Sequence, residues 1–198
     1  MSVIRAFIAI NISPEIQRRL TVISEDLQES LRGVAIRWVP VENIHLTLKF
    51  LGDVSHANLD ILKKLLEAEA AGLPEFEFSA GELGAFPSIR RPRVIWVSVQ
   101  APPELATLQR GIDNETARLG YAREERKYSP HLTIGRVARN AGPEETHKIS
   151  EVLSSYKVGY IGATRVRSVY LYRSDLHPSG ATYTPLFSAT LGTAIGSG

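Results

Sequence analysis

Two short stretches carry side chains able to do chemistry, "NIHLTLKF" (43–50) and "SPHLTIGR" (129–136), and each places a histidine two residues ahead of a threonine. His45-Leu46-Thr47 and His131-Leu132-Thr133 stand 86 residues apart (131 − 45). In each stretch polar and apolar residues alternate, as in a half-buried strand, so histidine and threonine share one face while the leucines enter the core. An imidazole changes charge near neutral pH; two of them on one substrate can divide the work, one neutral as base and one protonated as acid. A threonine hydroxyl beside each is a donor suited to the nonbridging oxygens of a phosphoryl group. One such stretch is an ordinary amphipathic strand. Two in matching positions point to function, because duplication preserves core positions more readily than exposed polar pairs.

Other chemistries are short of residues. The chain has no cysteine, which removes disulfides, thiolate zinc sites and cysteine nucleophiles. Neither a G-x-S-x-G elbow nor a G-x-x-x-x-G-K-[ST] loop occurs. A metal held by the two histidines would want a third ligand. Neither motif has an acidic residue on its histidine face, Glu42 being of the wrong parity. The expectation is therefore no metal and no cofactor. A net charge of +2 is too small for a general nucleic-acid binder, but "SIRRPRV" (88–94) and "YAREERKYSPH" (121–131) are local basic clusters.

The elements that must position these residues repeat a grammar. "VIRAFIAINI" (3–12) is β-like and too short an apolar run for a secretory signal, so the chain is expected to be cytoplasmic. Ser13 as cap, Pro14 in the first turn and the stripe Ile16, Leu20, Ile23, Leu27 and Leu31 predict a helix ending at Gly33. "VAIRWV" (34–39) is a second strand and the first histidine motif a third. A second helix is predicted over 51–72, with Ser55 as cap and Leu59, Leu62, Leu65 and Leu66 inward. "RVIWVSV" (93–99) and a helix carrying Leu105, Leu108, Ile112 and Leu119 then repeat the opening. Aligning Pro14-Glu15-Ile16 with Pro103-Glu104-Leu105 gives an offset of 89 (103 − 14), close to that of the histidines. An internal duplication follows: two β-α-β-type lobes, whose approximate two-fold would bring the equivalent strands across one cleft. A helix from Pro143, strands over 158–174 and 181–191, a turn at "DLHPSG" (175–180) and a frayed tail over 192–198 complete the chain.

"IHLTLKFLG", "PHLTIGR", "FIAINI", "VIWVSV" and "YLYRSDLHPSGATYTPL" together resemble the 2H phosphoesterase superfamily, and within it the RNA 2′,3′-cyclic phosphodiesterase or 2′-5′ RNA ligase family. The similarity runs over nearly the whole chain, and both motifs fit H-x-[ST]-x. The resemblance implies an α+β fold over 1–198 as a single bilobal domain: two pseudo-two-fold-related lobes, antiparallel-rich sheets lining a central cleft and helices outside. It implies hydrolysis of 2′,3′-cyclic phosphate ends of RNA to 2′-phosphates, with His45 and His131 as the acid and base pair and Thr47 and Thr133 on the phosphoryl oxygens; the pseudo-symmetry leaves either order open, with His45 as acid and His131 as base the order favoured. Reversal with a 5′-hydroxyl gives 2′-5′ ligation. The implied partners are RNA with cyclic phosphate ends, tRNA fragments included, or small cyclic nucleotides; no membrane; and a monomer.

Further residues follow from parity. Lys49 shares parity with His45 and Thr47 and is a candidate phosphate ligand. Arg136 resembles a phosphate-contacting arginine of the family, but strict alternation from His131 aims it at the opposite face unless Gly135 lets the strand bulge. Phe50 is a candidate to pack beneath a base, but parity assigns it to the core. Arg90, Arg91, Arg93 and Lys127 are candidates to track an RNA backbone. His56, His147 and His177, lacking a partner threonine, read as a helix start, a helix surface and a turn. The alternatives are the same chemistry on a small nucleotide or an ADP-ribose cyclic phosphate, and a non-catalytic RNA-end binding module.

Overall fold

The computed structural model describes residues 3–178 and 180–192. Four helices pack on a nine-stranded sheet. The strands are β1 (Val3–Ile10), β2 (Ile36–Trp38), β3 (Leu46–Ser55), β4 (Phe76–Ser88), β5 (Arg91–Gln100), β6 (His131–Val137), β7 (Tyr160–Val166), β8 (Ser168–His177) and β9 (Gly180–Thr190). The helices are α1 (Pro14–Ser30), α2 (Leu59–Ala71), α3 (Pro103–Arg118) and α4 (Pro143–Ser155). Helix α1 starts as its sequence dictates: Ser13 Oγ accepts the Ile16 N–H at 3.3 Å, Pro14 fills the first turn, and Ile16, Leu20, Ile23 and Leu27 are buried.

The sheet runs β7-β4-β5-β6-β3-β1-β8-β9, with β2 beside β6, and its strand pairs are antiparallel. It is symmetric about its middle. On one side of the β6–β3 junction lies β6-β5-β4-β7, on the other β3-β1-β8-β9. The expected two-fold and bilobal α+β architecture are present, but the spatial lobes are not the two sequence halves. After α2 the chain crosses to supply β4 to the second lobe, and after β7 it returns to supply β8 and β9 to the first. Two helices trade sides too, α1 packing on β7 and α3 on β3, whereas α2 on β9 and α4 on β5 stay with the lobe of the strand before them. The histidine strands do not face one another across a gap. They are neighbours in one sheet.

Two expectations are corrected and one unassigned stretch is filled. The helix predicted from Leu51 starts only at Leu59, because Leu51 to Ser55 continue β3 opposite β1, and Ser55 caps a short 3-10 turn, accepting from the Ala57 N–H, instead. The stretch 76–88, unassigned from sequence, is the longest strand, β4. Strand β8 runs on to His177 and β9 begins at Gly180, so the turn is tighter than "DLHPSG". Of the tail expected to fray, Gly192 bridges to Pro74 and 193–198 lie outside the described residues. Among the described residues no helix is long and apolar enough to cross a membrane.

Candidate active site

Strands β3 and β6 meet through one paired position, Leu46 opposite Leu132, the residues between histidine and threonine in each motif. Both leucines are fully buried. In antiparallel pairing this register sets His45 across from Thr133 and Thr47 across from His131, all four on the face away from the leucines. Opposed side chains on such a face start about 5 Å apart and diagonal ones about 7–8 Å. The two histidines occupy one diagonal and the two threonines the other, around a space that a tetrahedral phosphoryl group can fill.

Each imidazole is fixed in the same way. His45 Nδ1 lies 2.8 Å from the Asn43 carbonyl and His131 Nδ1 lies 2.7 Å from the Ser129 carbonyl, in both cases the residue two positions earlier. A carbonyl only accepts, so Nδ1 carries the proton and donates it, leaving each Nε2 lone pair to the cleft. Aromatic rings wall both. Phe7 stacks on His45 at 4.7 Å and Tyr183 meets it edge-on at 5.3 Å, while Phe86 meets His131 edge-on at 4.9 Å. Burial among them pushes the His45 pKa down to about 4, against the opposing effect of the Asn43 carbonyl. His131 is also lowered, chiefly by burial and further by the Arg136 guanidinium, with the Ser129 carbonyl opposing. Both rings are therefore neutral in the empty cleft at neutral pH.

A β-bulge decides what lies beyond each motif. Against β1, Ala9 pairs with Thr47 but Ile8 pairs with Lys49, which makes Leu48 an extra residue; against β5, Trp96 pairs with Thr133 but Ile95 with Gly135, which makes Ile134 extra. Leu48 and Ile134 are equivalent in the two repeats (134 − 48 = 86). After an extra residue the alternation reverses. Arg136 consequently turns to the histidine face and lines the cleft, as the sequence allowed only with a bulge. Phe50, assigned to the core by parity, is instead 62% exposed and lines the cleft at the position equivalent to Arg136.

Lys49 is the second correction by the same cause. It is 5% exposed, and its ammonium donates to the Asp113 carboxylate of α3 and to the Ala122 carbonyl. Asp113 also accepts the Glu124 N–H at 3.3 Å. Lys49 thus ties down the segment after α3, which returns over the cleft until the Tyr128 hydroxyl donates to the Thr47 carbonyl at 3.0 Å. Arg123, Arg126 and Lys127 of that segment line the cleft, which has a volume of about 590 Å³, within the range of small-molecule sites. Arg90, Arg91 and Arg93 lie outside it, in a neighbouring groove. His56 starts a 3-10 turn, His147 lies on α4, and His177 ends β8 rather than sitting in a turn. Phe7, Tyr183 and Phe86 carried no local signal, since only the sheet order brings β1, β9 and β4 to the histidines.

Two dyad-related His-x-Thr pairs presented to one cleft by a continuous antiparallel sheet define a phosphoesterase of the two-histidine class. The chain belongs to the LigT like phosphoesterase family, which matches it twice, over residues 10–96 and 97–183, one match per repeat. It is similar to the RNA 2′,3′-cyclic phosphodiesterase of Methanothermobacter thermautotrophicus, with 35% identity covering 92% of this chain and 96% of the relative. The enzyme of that name from Thermotoga maritima is 33% identical over 92% of this chain and 93% of the relative. Among solved structures, Escherichia coli LigT complexed with 3′-AMP superposes with a TM-score of 0.75 at 26% identity, covering 96% of this chain and 99% of that one.

Proposed function

We propose that the protein is an RNA 2′,3′-cyclic phosphodiesterase that opens the cyclic phosphate at its bond to O3′ without a metal. The observation that carries this is the quartet at the β3–β6 junction: His45, Thr47, His131 and Thr133 line one cleft, and both Nδ1 atoms are committed to backbone carbonyls, which leaves the Nε2 atoms for the chemistry. The names of the relatives in Methanothermobacter and Thermotoga support the substrate class.

In the reaction His131 Nε2 takes a proton from water, whose oxygen bonds to phosphorus. The P–O3′ bond breaks on the opposite side and His45 Nε2–H protonates O3′. The products are a 2′-phosphate and a free 3′-hydroxyl. Thr47 and Thr133, on the other diagonal, donate to the nonbridging oxygens, and Arg136 offsets their charge. Beside the quartet the symmetry is broken, and we take the direction of proton flow from that asymmetry. A cation lies near His131 and disfavours its protonation, which suits a base, whereas Phe50 occupies the equivalent place beside His45. His45 is held neutral by burial foremost, and the negative charge of a bound phosphate counters that by favouring the imidazolium. Phe50 offers an exposed ring on which a base can stack. With a ribose 5′-hydroxyl replacing water, its oxygen bonding to phosphorus as the P–O3′ bond breaks and O3′ takes the proton, the same four side chains catalyse 2′-5′ ligation. Each repeat supplies one histidine and one threonine, so the two lobes work as one catalytic unit, as a monomer, on RNA ends that include tRNA fragments.

The donor set favours proton transfer over metal ligation, since among the described residues no three His, Asp or Glu side chains converge. A small 2′,3′-cyclic nucleotide is the second reading, favoured by a cleft volume of about 590 Å³ and by the 3′-AMP bound in the E. coli relative. The test is the pH–rate profile in excess EDTA, expected to be bell-shaped and undiminished. Activity abolished by EDTA and restored by zinc or manganese would overturn the metal-free mechanism.

A further inference from the structure

A second cavity of about 590 Å³ opens beside the cleft, between the β4–β5 hairpin and α4. Arg90, Arg91 and Arg93 line it from the hairpin side, and Thr146, His147 and Ser150 from one face of α4. It shares no residue with the cleft, yet the two linings adjoin on β4 and across the β5–β6 pair. Phe86 lines the cleft against His131 and the next residue, Pro87, lines the groove. Arg136 of the cleft pairs with Val94, and the preceding residue, Arg93, lines the groove.

The charge is directed. Arg93 Nη1 donates to the carbonyls of Ala138 and Arg139 at 2.9 and 3.3 Å, which fixes its guanidinium on the groove wall. Arg90 and Arg91 are exposed and make no ion pair among the described residues. Among the described residues no carboxylate lines the groove; Glu151 pairs with His147 at 3.3 Å on the helix surface. Three guanidinium groups with two hydroxyls in one concave surface form a receptor for phosphodiester oxygens, planar forks matching the phosphate better than an ammonium would. Pro87, Pro92, Ala141 and Pro143 supply the apolar part of the wall, and the groove's adjacency to the cleft at Phe86 and Pro87 favours the strand whose end the cleft holds over an acidic protein segment.

We propose that this groove binds the backbone of the RNA strand on the 5′ side of the cyclic phosphate, so that the enzyme grips its substrate at the reacting end and again beyond Phe86 and Pro87. This rests on the RNA-end reading of the cleft. A mononucleotide fills the cleft alone, whereas a longer strand also reaches Arg90 and Arg91.

The experiment is fluorescence anisotropy of a 5′-labelled 12-nucleotide RNA ending in a 2′-phosphate, with parent and Arg90→Gln/Arg91→Gln proteins across a salt series. Each lost phosphate contact on a single strand removes about 0.7 from the slope of log affinity against log salt, so the double variant should lose about 1.4 and bind the 12-mer roughly tenfold more weakly at moderate salt. Its hydrolysis of a 2′,3′-cyclic mononucleotide should match the parent's, which also shows that it is folded. Equal affinity and slope for the 12-mer in both proteins would overturn the proposal, as would equal displacement by polyglutamate of the same charge. Binding is read without turnover, so failure of the cyclic phosphodiesterase reading registers separately, as a parent that hydrolyses neither cyclic substrate.

Discussion

Replacing Lys49 by methionine separates its two possible roles by their magnitudes. Its ammonium and the Asp113 carboxylate are 4% and 14% exposed and donate to, or accept from, the backbone of Ala122 and Glu124. Removing one member of a buried ion pair strands the other, at a cost of about 3–5 kcal/mol. For a chain of this size that lowers the melting temperature by roughly 6–20 °C. Replacing both, as Lys49→Met/Asp113→Leu, removes the stranded charge and should restore most of the loss, giving a coupling energy of about 2–4 kcal/mol in the double-mutant cycle. The segment over the cleft remains untied at Ala122 and Glu124 in the double variant. Its KM should therefore stay elevated after stability has returned. Denaturant unfolding of the four proteins beside their steady-state kinetics reads both. If Lys49→Met unfolds within about 0.5 kcal/mol of the parent while KM rises, Lys49 is a substrate ligand and the clamp is wrong.

Three other outcomes follow from the same geometry. Arg136→Gln should lose about 10- to 100-fold in kcat/KM, the worth of one charge-assisted contact, and the limb on which activity rises with pH should move upward as His131 is relieved of the cation that lowers it. Phe50→Ala, at an exposed position, should leave stability within about 0.5 kcal/mol but raise KM for a purine cyclic nucleotide several-fold or more, since stacking on an aromatic is worth about 1–3 kcal/mol per base. His45 binds its proton less readily folded, near pH 4, than unfolded, near 6.5, so the unfolded state takes up more protons in that window. Stability should accordingly fall as pH drops from 6.5 towards 4, by up to about 1.4 kcal/mol per pH unit, and His45→Phe should remove that component from a pH series of melting curves.

The four side chains that meet in the cleft were legible because strand periodicity puts His45 with Thr47, and His131 with Thr133, whatever the surrounding fold. The duplication was legible as well, through the repeated Pro-Glu starts of α1 and α3. What period-two alternation could not carry past was the extra residue at Leu48 and at Ile134. Gly135 hinted at the second bulge, so Arg136 was kept as a candidate on that condition. Nothing in Leu48-Lys49-Phe50 hinted at the first, so Lys49 and Phe50 exchanged roles. Sheet order was invisible for another reason. Crossing of β4 to one lobe and of β8 and β9 to the other is a long-range matter, and with it went the aromatic walls Phe7, Phe86 and Tyr183 that lower both imidazoles. The helix predicted across Leu51 to Asn58 failed because Leu51 and Val54, three apart, suit a helix, whereas a further register shift opposite Ala6 and Phe7 lets both be buried in a strand paired with β1.

The central claim is that His45 and His131 jointly open a cyclic phosphate at O3′. An RNA oligonucleotide ending in 2′,3′-cyclic phosphate, incubated in excess EDTA with the parent, His45→Ala and His131→Ala proteins, tests it most directly when the end group of the product is identified. The two-histidine mechanism predicts a 2′-phosphate from the parent and a loss of at least about 10² in rate in each variant, the lower bound for one general acid or base. A 3′-phosphate product, or a variant that keeps the parent's rate, would contradict it.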